Sequence, residues 1–247
     1  MARGLGTTLG VGTNDVISVA NYTAINDLTT FTFAIWFNRR ATGNAFPRII
    51  NKTTGLGNGL GVIFAYTDGS SIEFDADRWA TAQGRWTIDH PSVGDWHQLT
   101  LTYDYGSTSN DPVFYIDGSS VTITAELGTP SGSLNSETQT CLLGNRADGT
   151  RGWDGMLAEA ALWNVVLTAS QAAAIGKGVS PLAYPTGLVG YWPLMGRYSP
   201  EINLVAGNTG SLTGTAVQPH PRVLYPAPVL TFGKPTRRNF LPLLGVA

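Results

Sequence analysis

The 247-residue chain has one cysteine, three histidines and few charges, and each scarcity excludes something. Cys141 alone can close no internal disulfide and build no multi-cysteine zinc site. In "TCLLGN" it reads as a buried small hydrophobe. His90, His97 and His220 are too scattered for metal-type spacing. Charged residues are 13% of the chain, with 15 Lys plus Arg against 17 Asp plus Glu. That leaves no broad field to hold a phosphate backbone or anionic lipid, so nucleic acid is not an expected partner. No run approaches the ~20 apolar residues of a membrane helix, and "MARGLGTTLGVGTNDV" has no apolar stretch of signal-peptide length. The expectation is a chain made without Sec export and independent of a membrane. There is no G-x-S-x-G nucleophile elbow, and Cys141 has no evident His partner. The Gly-rich "TTGLGNGLG" lacks a Lys-Ser/Thr ending and reads as a loop, not a phosphate cradle.

What is abundant is glycine, 30 residues, among short runs in which apolar and polar residues alternate. This is the pattern of strands and tight turns. In "FTFAIWFN", Phe31, Phe33, Ile35 and Phe37 share one strand face and Thr32, Ala34, Trp36 and Asn38 the other. "WHQLTLTYD" repeats the device, with His97 in line with Leu99, Leu101 and Tyr103 as a packed, hydrogen-bonded strand residue. Asp-Gly turns in "AYTDGSSIEF" and "FYIDGSSVTI" predict hairpins pairing 60–66 with 70–77 and 112–116 with 120–125. In "LTASQAAAIGKG", Thr168 and Gln171 form a capping box, and Gly176 supplies a left-handed stop to the one helix of note.

In order, the Trp36 strand, "WHQLTLTYD", "FYIDG", "LLGN", Trp153-Asp154-Gly155 with "LAEAALWN", and "LTASQAAAI" resemble the laminin-G-like, concanavalin A-like lectin/glucanase superfamily over residues 10–178. The segment "GLVGYWPLMGRYSPEINLVAGNTGSLTGTAVQPHPRV" resembles the closing portion of such proteins encoded in phage and prophage genomes, extending the likeness to about residue 222. The resemblance implies an all-β fold, an antiparallel jelly-roll sandwich with one short helix. That domain is expected over residues 1–220, followed by a Pro-rich apolar arm over 221–247.

Fold alone does not decide function, which rests on particular residues. Glu159 falls at the family's Glu position, with Leu157, Ala161 and Trp163 as same-face neighbours, and is expected to be tied to adjoining chain segments by hydrogen bonds. In "SIEFDADRW", Glu73, Asp75 and Asp77 share one face and resemble the E-x-D-x-E motif of jelly-roll glucanases. Glu73 and Asp77 stand roughly 13 Å apart on an unbulged strand, far from the ~5 Å of a retaining glycosidase. The alternation is explained equally by a solvated hairpin face. The likeness to laminin-G domains allows a calcium ion at the rim, for which Asn145, Asp148 and Asp154 are the candidate ligands, with Arg146 and Arg151 competing for the carboxylates. Glycan contact is expected at Trp79 and Trp86 with Arg78 and Arg85, and at Trp153.

From Pro219 the chain is rich in proline yet carries large apolar residues, a composition unlike that of disordered tails. Phe232, Phe240, Leu241, Leu243 and Leu244 are expected to bury themselves on neighbouring subunits, or on the domain itself. The sequence therefore points to a non-enzymatic structural or recognition module, a subunit on a virion surface with loops free for surface glycans. A calcium-assisted lectin is the alternative, and a glycoside hydrolase using Glu73 with Asp75 or Asp77 comes third.

Overall fold

The computed structural model describes residues 1–6, 14–20, 22–40, 46–53, 64–67 as backbone, 71–205 and 207–226. Along the chain the strands are Ala2–Leu5 (β1), Val16–Ser18 (β2), Thr30–Arg39 (β3), Arg48–Asn51 (β4), Phe64–Thr67 (β5), Ser71–Ala76 (β6), Gly84–Asp89 (β7) and His97–Asp104 (β8). They continue with Val113–Ile116 (β9), Ser119–Val121 (β10), Ala125–Gly128 (β11), Leu142–Leu143 (β12), Gly155–Trp163 (β13), Leu188–Trp192 (β14), Ser211–Thr213 (β15) and Ala216–Gln218 (β16). One antiparallel sheet runs β10-β9-β8-β3-β13-β1-β16, with β14 on the second half of β13; the other runs β11-β7-β6-β5-β4-β12-β2-β15. This is the jelly-roll sandwich that the sequence implied.

The alternation is realised as read. Phe31, Phe33, Ile35 and Phe37 enter the core between the sheets with Leu99, Leu101 and Tyr103, while Ile72, Phe74, Trp86 and Ile88 come from the opposite sheet. Phe74 stacks on Trp86 with ring centroids 5.9 Å apart and planes 13° from parallel, and Tyr103 meets Phe31, Phe74 and Tyr105. Each buried side chain of this size contributes about 1.5–3 kcal/mol. Cys141 joins the core, and burial pushes its thiol up to about 12. His97 is the hydrogen-bonded strand residue expected, between Asp117 at 2.8 Å and Ser92 at 2.9 Å.

The second hairpin follows its Asp-Gly turn; the first turn, and residues 60–63 of its expected strand, lie outside the described residues. β5 pairs with β6, and β9 with β10 across Asp117 and Gly118, both left-handed as this turn requires. The second pairing ends at Val121, because β11 leaves to pair with β7 in the other sheet. The helix, Ala169–Gly176 (α1), carries the capping box between Thr168 and Gln171. Its stop is not Gly176, which remains helical; the left-handed residue is Gly178. Gly176 is needed for another reason: a Cβ there would stand 2.0 Å from the backbone nitrogen of Gly118. The helix lies across the outer side of the first sheet at β8, β9 and β10, where Gln98, Thr100 and Thr102 are buried.

Glu159 departs from the simple strand. β13 is irregular between Ala158 and Ala161, and Glu159 is left-handed, so the bulge reverses the alternation. Leu157, Ala160 and Leu162 face the core, whereas Ala161 and Trp163 face outward with Ala34, Leu188 and Tyr191. Leu157 therefore does not share the face of Ala161 and Trp163, which corrects the period-two assignment. The hydrogen bonding expected of Glu159 is present: its buried carboxylate accepts from the Tyr191 hydroxyl and from the Tyr225 hydroxyl at 2.7 Å, with His220 Nε2 3.0 Å away.

Two of those partners lie at the end of the described chain. Leu224 N–H donates to Gly178, and the Leu224 carbonyl accepts from Ser180. Residues 221–226, assigned from sequence to the arm, thus attach to the domain; Phe232, Phe240, Leu241, Leu243 and Leu244 lie outside the described residues. A chain ended at Arg222 loses Tyr225 and strands part of a buried carboxylate, a cost of about 1–3 kcal/mol. It is expected to melt about 2–8 °C below a chain ended at Pro226, as measured by scanning calorimetry of the two.

Candidate functional site

The same pairing that sends Phe74 and Trp86 inward places Glu73, Asp75 and Arg85 on the other side of the second sheet. Asp75 lies opposite Arg85, and Arg48, Tyr66, Glu73 and Thr87 stand across four strands in register. Arg85 Nε donates to Asp75 at 2.9 Å and lies within ion-pair distance of Glu73, 3.1 Å away, so one guanidinium serves two carboxylates. Gln83 continues the chain of contacts, its amide nitrogen giving to Asp77 and its oxygen accepting from Arg85, both at 2.7 Å.

These carboxylates are not the solvated hairpin face expected from sequence. Glu73, Asp75 and Asp77 are each no more than 7% exposed. Burial, and then the neighbouring Asp75 charge, push Glu73 up to about 8 and Asp77 up to about 7; burial likewise raises Asp75. Arg48, also buried, is lowered to about 9, first by burial and then by Arg146. Burial thus disfavours the charged form of all three carboxyls and of Arg48, while Arg85 favours the charged form of the carboxyls.

Beyond Asp77 the chain turns, and a cavity of about 230 Å³ opens between Asp77, Trp79, Ala80 to Gln83, and Asn135. Its far wall is held by two cations. Arg78 donates to the carbonyls of Asn135 at 2.8 Å and Leu28 at 2.6 Å. Lys52 forms a buried ion pair with Glu137 and donates to the Gln139 carbonyl at 2.7 Å. The cavity is therefore preformed, walled by segments fixed to strands.

The sequence-chosen ligand residues separate here. Trp79 lines the cavity but is only 8% exposed, its indole N–H turned inward to Tyr103. Arg85 is partly exposed beside it. Trp86, Trp153 and Arg78 are corrected: Trp86 is a core ring bonded to Asp111, Trp153 is enclosed against Phe37, and Arg78 is consumed by backbone carbonyls. The signal missed was Gln83 and Asn135, polar residues flanking the "DRWATAQG" turn with no spacing rule to single them out.

Two of the residues expected to hold calcium, Asn145 and Asp148, are engaged within their own loop. Asn145 Oδ1 accepts the backbone N–H groups of Arg146 at 2.8 Å and Arg151 at 3.1 Å. Asp148 is taken by Arg146, which holds its carboxyl well below the usual range. The backbone carbonyl of Asp154 accepts from Arg40 at 2.9 Å. Among the described residues no group of three or more His, Cys, Asp or Glu could hold a metal.

The family described as the concanavalin A-like lectin/glucanases superfamily matches residues 11–173. A comparison with curated proteins found no match. Among solved structures, the chain is similar to a Bacteroides ovatus protein described as carbohydrate binding, with 18% identity and TM-score 0.62 over 89% of this chain and 59% of that one. It thus spans somewhat over half that protein's length. Weaker likenesses are a pentraxin from Limulus polyphemus, 13% identical with TM-score 0.43 over 68% of this chain and 84% of that one, and a Trypanosoma rangeli sialidase, 10% identical with TM-score 0.45 over 60% and 23%. At these identities the likeness is one of fold.

The carboxyl cluster makes a prediction. A carboxyl whose folded pKa is raised binds more protons folded than unfolded, so its stabilisation falls as pH rises from its ordinary value near 4.5 toward about 8. The melting temperature is expected to fall between pH 5 and pH 9, and Glu73→Gln to flatten that slope, as read by calorimetry across the range. An equal slope in the variant removes Glu73 from the account.

Proposed function

The chain belongs to the concanavalin A-like lectin/glucanases superfamily, and from that premise we propose that it is a non-enzymatic carbohydrate-binding module. The observation that carries this reading is the cavity beside Asp77. It is concave, preformed and smaller than the ~300–1,000 Å³ usual for drug-sized ligands, room for a single sugar residue. Asp77, Thr81, Gln83 and Asn135 supply donors and acceptors for hydroxyls, and the edge of Trp79 supplies an apolar wall. Soluble glycans screened on an array, followed by calorimetric titration, are expected to bind. Asn135→Ala and Asp77→Asn are each expected to weaken that binding about tenfold, the loss of roughly one buried hydrogen bond. Full binding by both variants removes this cavity as the site.

Catalysis has one observation in its favour, carboxyls titrating near neutrality, as a general acid requires. Against it, all three are buried and engaged with Arg85, Gln83 or each other. No release of reducing ends from β-glucans is expected. Hydrolysis lost in Glu73→Gln reverses this.

We further propose that the protein is a virion-surface subunit in which Phe232, Phe240, Leu241, Leu243 and Leu244 contact neighbouring subunits. Support comes from the apolar, Pro-rich composition of that segment and from the likeness of residues 187–222 to phage-encoded proteins. Light scattering at one concentration is expected to give an oligomer for the full chain and a folded monomer for a chain ended at Pro226. Two monomers of equal mass per chain length argue for a strap on the protein's own domain.

A further inference from the structure

A groove of about 470 Å³ lies on the outer side of the first sheet where β8 gives way to β9, a size within the range of small-ligand sites. Val113 forms one side and Val166 the other. Val166 is fixed through its neighbours: the Thr32 hydroxyl donates to the Val165 carbonyl at 2.8 Å and accepts the Leu167 N–H at 2.9 Å. The two valines are 43% and 47% exposed, so both sides offer apolar surface that the fold leaves open.

The floor is polar. Leu101 and Tyr103 enter the core, so Thr102 and Asp104 point outward on one face of β8. Thr102, in register between Thr32 and Val113, is only 3% exposed, yet its hydroxyl has no hydrogen-bond partner among the described residues. A buried hydroxyl left so is costly, and a ligand in the groove can satisfy it. Asp104 Oδ1 accepts the Gly106 N–H at 2.7 Å, and Asp111 Oδ1 accepts the Trp86 indole N–H at 2.9 Å. Each carboxylate is thus oriented by a neutral donor, and among the described residues neither is paired with a cation. Both act on one place: burial first, and then the charges of Asp111 and Asp104, push the Tyr103 hydroxyl up to about 12. The Asn110 amide nitrogen is spent on the Asp104 carbonyl at 3.0 Å, which leaves a lining that accepts more hydrogen bonds than it gives.

We infer that this groove binds an amino sugar with a free amine, its ammonium on Asp104 and Asp111, a neighbouring hydroxyl on Thr102, and its C–H faces on Val113 and Val166. Two carboxylates without a cation call for a positive charge, and a charge-assisted contact is the stronger kind. A lysine side chain carries its ammonium on a bare four-carbon stem, with no second polar group for Thr102. A 2-amino sugar has a hydroxyl on the next carbon. The inference rests on the carbohydrate-binding reading and adds a second site to it, on the opposite sheet from the cavity beside Asp77.

The test is calorimetric titration of the full chain, in mildly acidic buffer where the amine is charged, with a glucosamine trisaccharide, its N-acetylated counterpart and Nα-acetyl-lysine amide. The free amine is expected to bind at least about tenfold more tightly than the acetylated sugar, the worth of one charge-assisted contact, and to weaken in high salt. Asp104→Asn and Asp111→Asn keep the oxygens that take the Gly106 and Trp86 N–H groups. Each is expected to lower amino-sugar affinity about tenfold and to leave that of the acetylated sugar unchanged. Thr102→Val is expected to hold or raise the melting temperature while weakening the amino sugar about fivefold, a split that a purely structural role would not give. Equal affinity for the two sugars, or amino-sugar binding that survives all three variants and is lost in Asn135→Ala, overturns the inference and leaves the carbohydrate reading standing. Lysine amide binding as tightly as the amino sugar also overturns it, in favour of a protein partner. Absence of binding to either sugar and to every glycan of the array sinks both.

Discussion

The ring stack between the sheets fixes everything that the outer face can do. Successive side chains of a strand point to opposite sides, so a register held by Phe74 on Trp86, with Phe31, Tyr103 and Tyr105 against them, also dictates where Glu73, Asp75 and Arg85 go. A slip of one residue would drive three carboxylates into the core, where an unpaired charge costs several kcal/mol. The polar site is thus held in place by apolar residues that never touch it.

This coupling is why so much was legible beforehand. Phe31 to Phe37, Leu99 to Tyr103 and Ile72 to Ala76 alternate without interruption, and the structure keeps each set on the face that period two assigns. The cap at Thr168 and the turn at Asp117-Gly118 were legible because a side-chain hydrogen bond and a left-handed backbone are both local demands. What the sequence hid depends on distant partners. Nothing within "SIEFDADRW" tells that its carboxylates lose solvent, and nothing near Trp79 or Trp86 tells that their rings close onto Tyr103, Tyr105 or Phe74.

The bulge at Glu159 sits between these cases. In "LAEAALW" the large residues fall at 157, 162 and 163, a spacing that unbroken alternation cannot accommodate, so a signal was present. Its purpose lay elsewhere: the left-handed Glu159 turns its carboxylate to the Tyr191 and Tyr225 hydroxyls, joining three chain segments distant in sequence. A carboxylate placed there without those hydroxyls would be a defect, which explains why residues 221–226 behave as part of the domain.

The rim loop "GNRADGTRG" shows how one side chain decides between opposite electrostatic outcomes. Its Asn and Asp residues match calcium ligands by type, and its arginines match anion binding. The Asn145 oxygen accepts two backbone N–H groups, those of Arg146 and Arg151, and the loop it closes offers its Arg151 carbonyl to the N–H of Arg48. Along the face, Arg85 offsets the charge of Glu73 and Asp75 that burial would otherwise penalise. Beyond Asp77 the buried face gives way to the cavity at Gln83 and Asn135, where polar groups meet solvent.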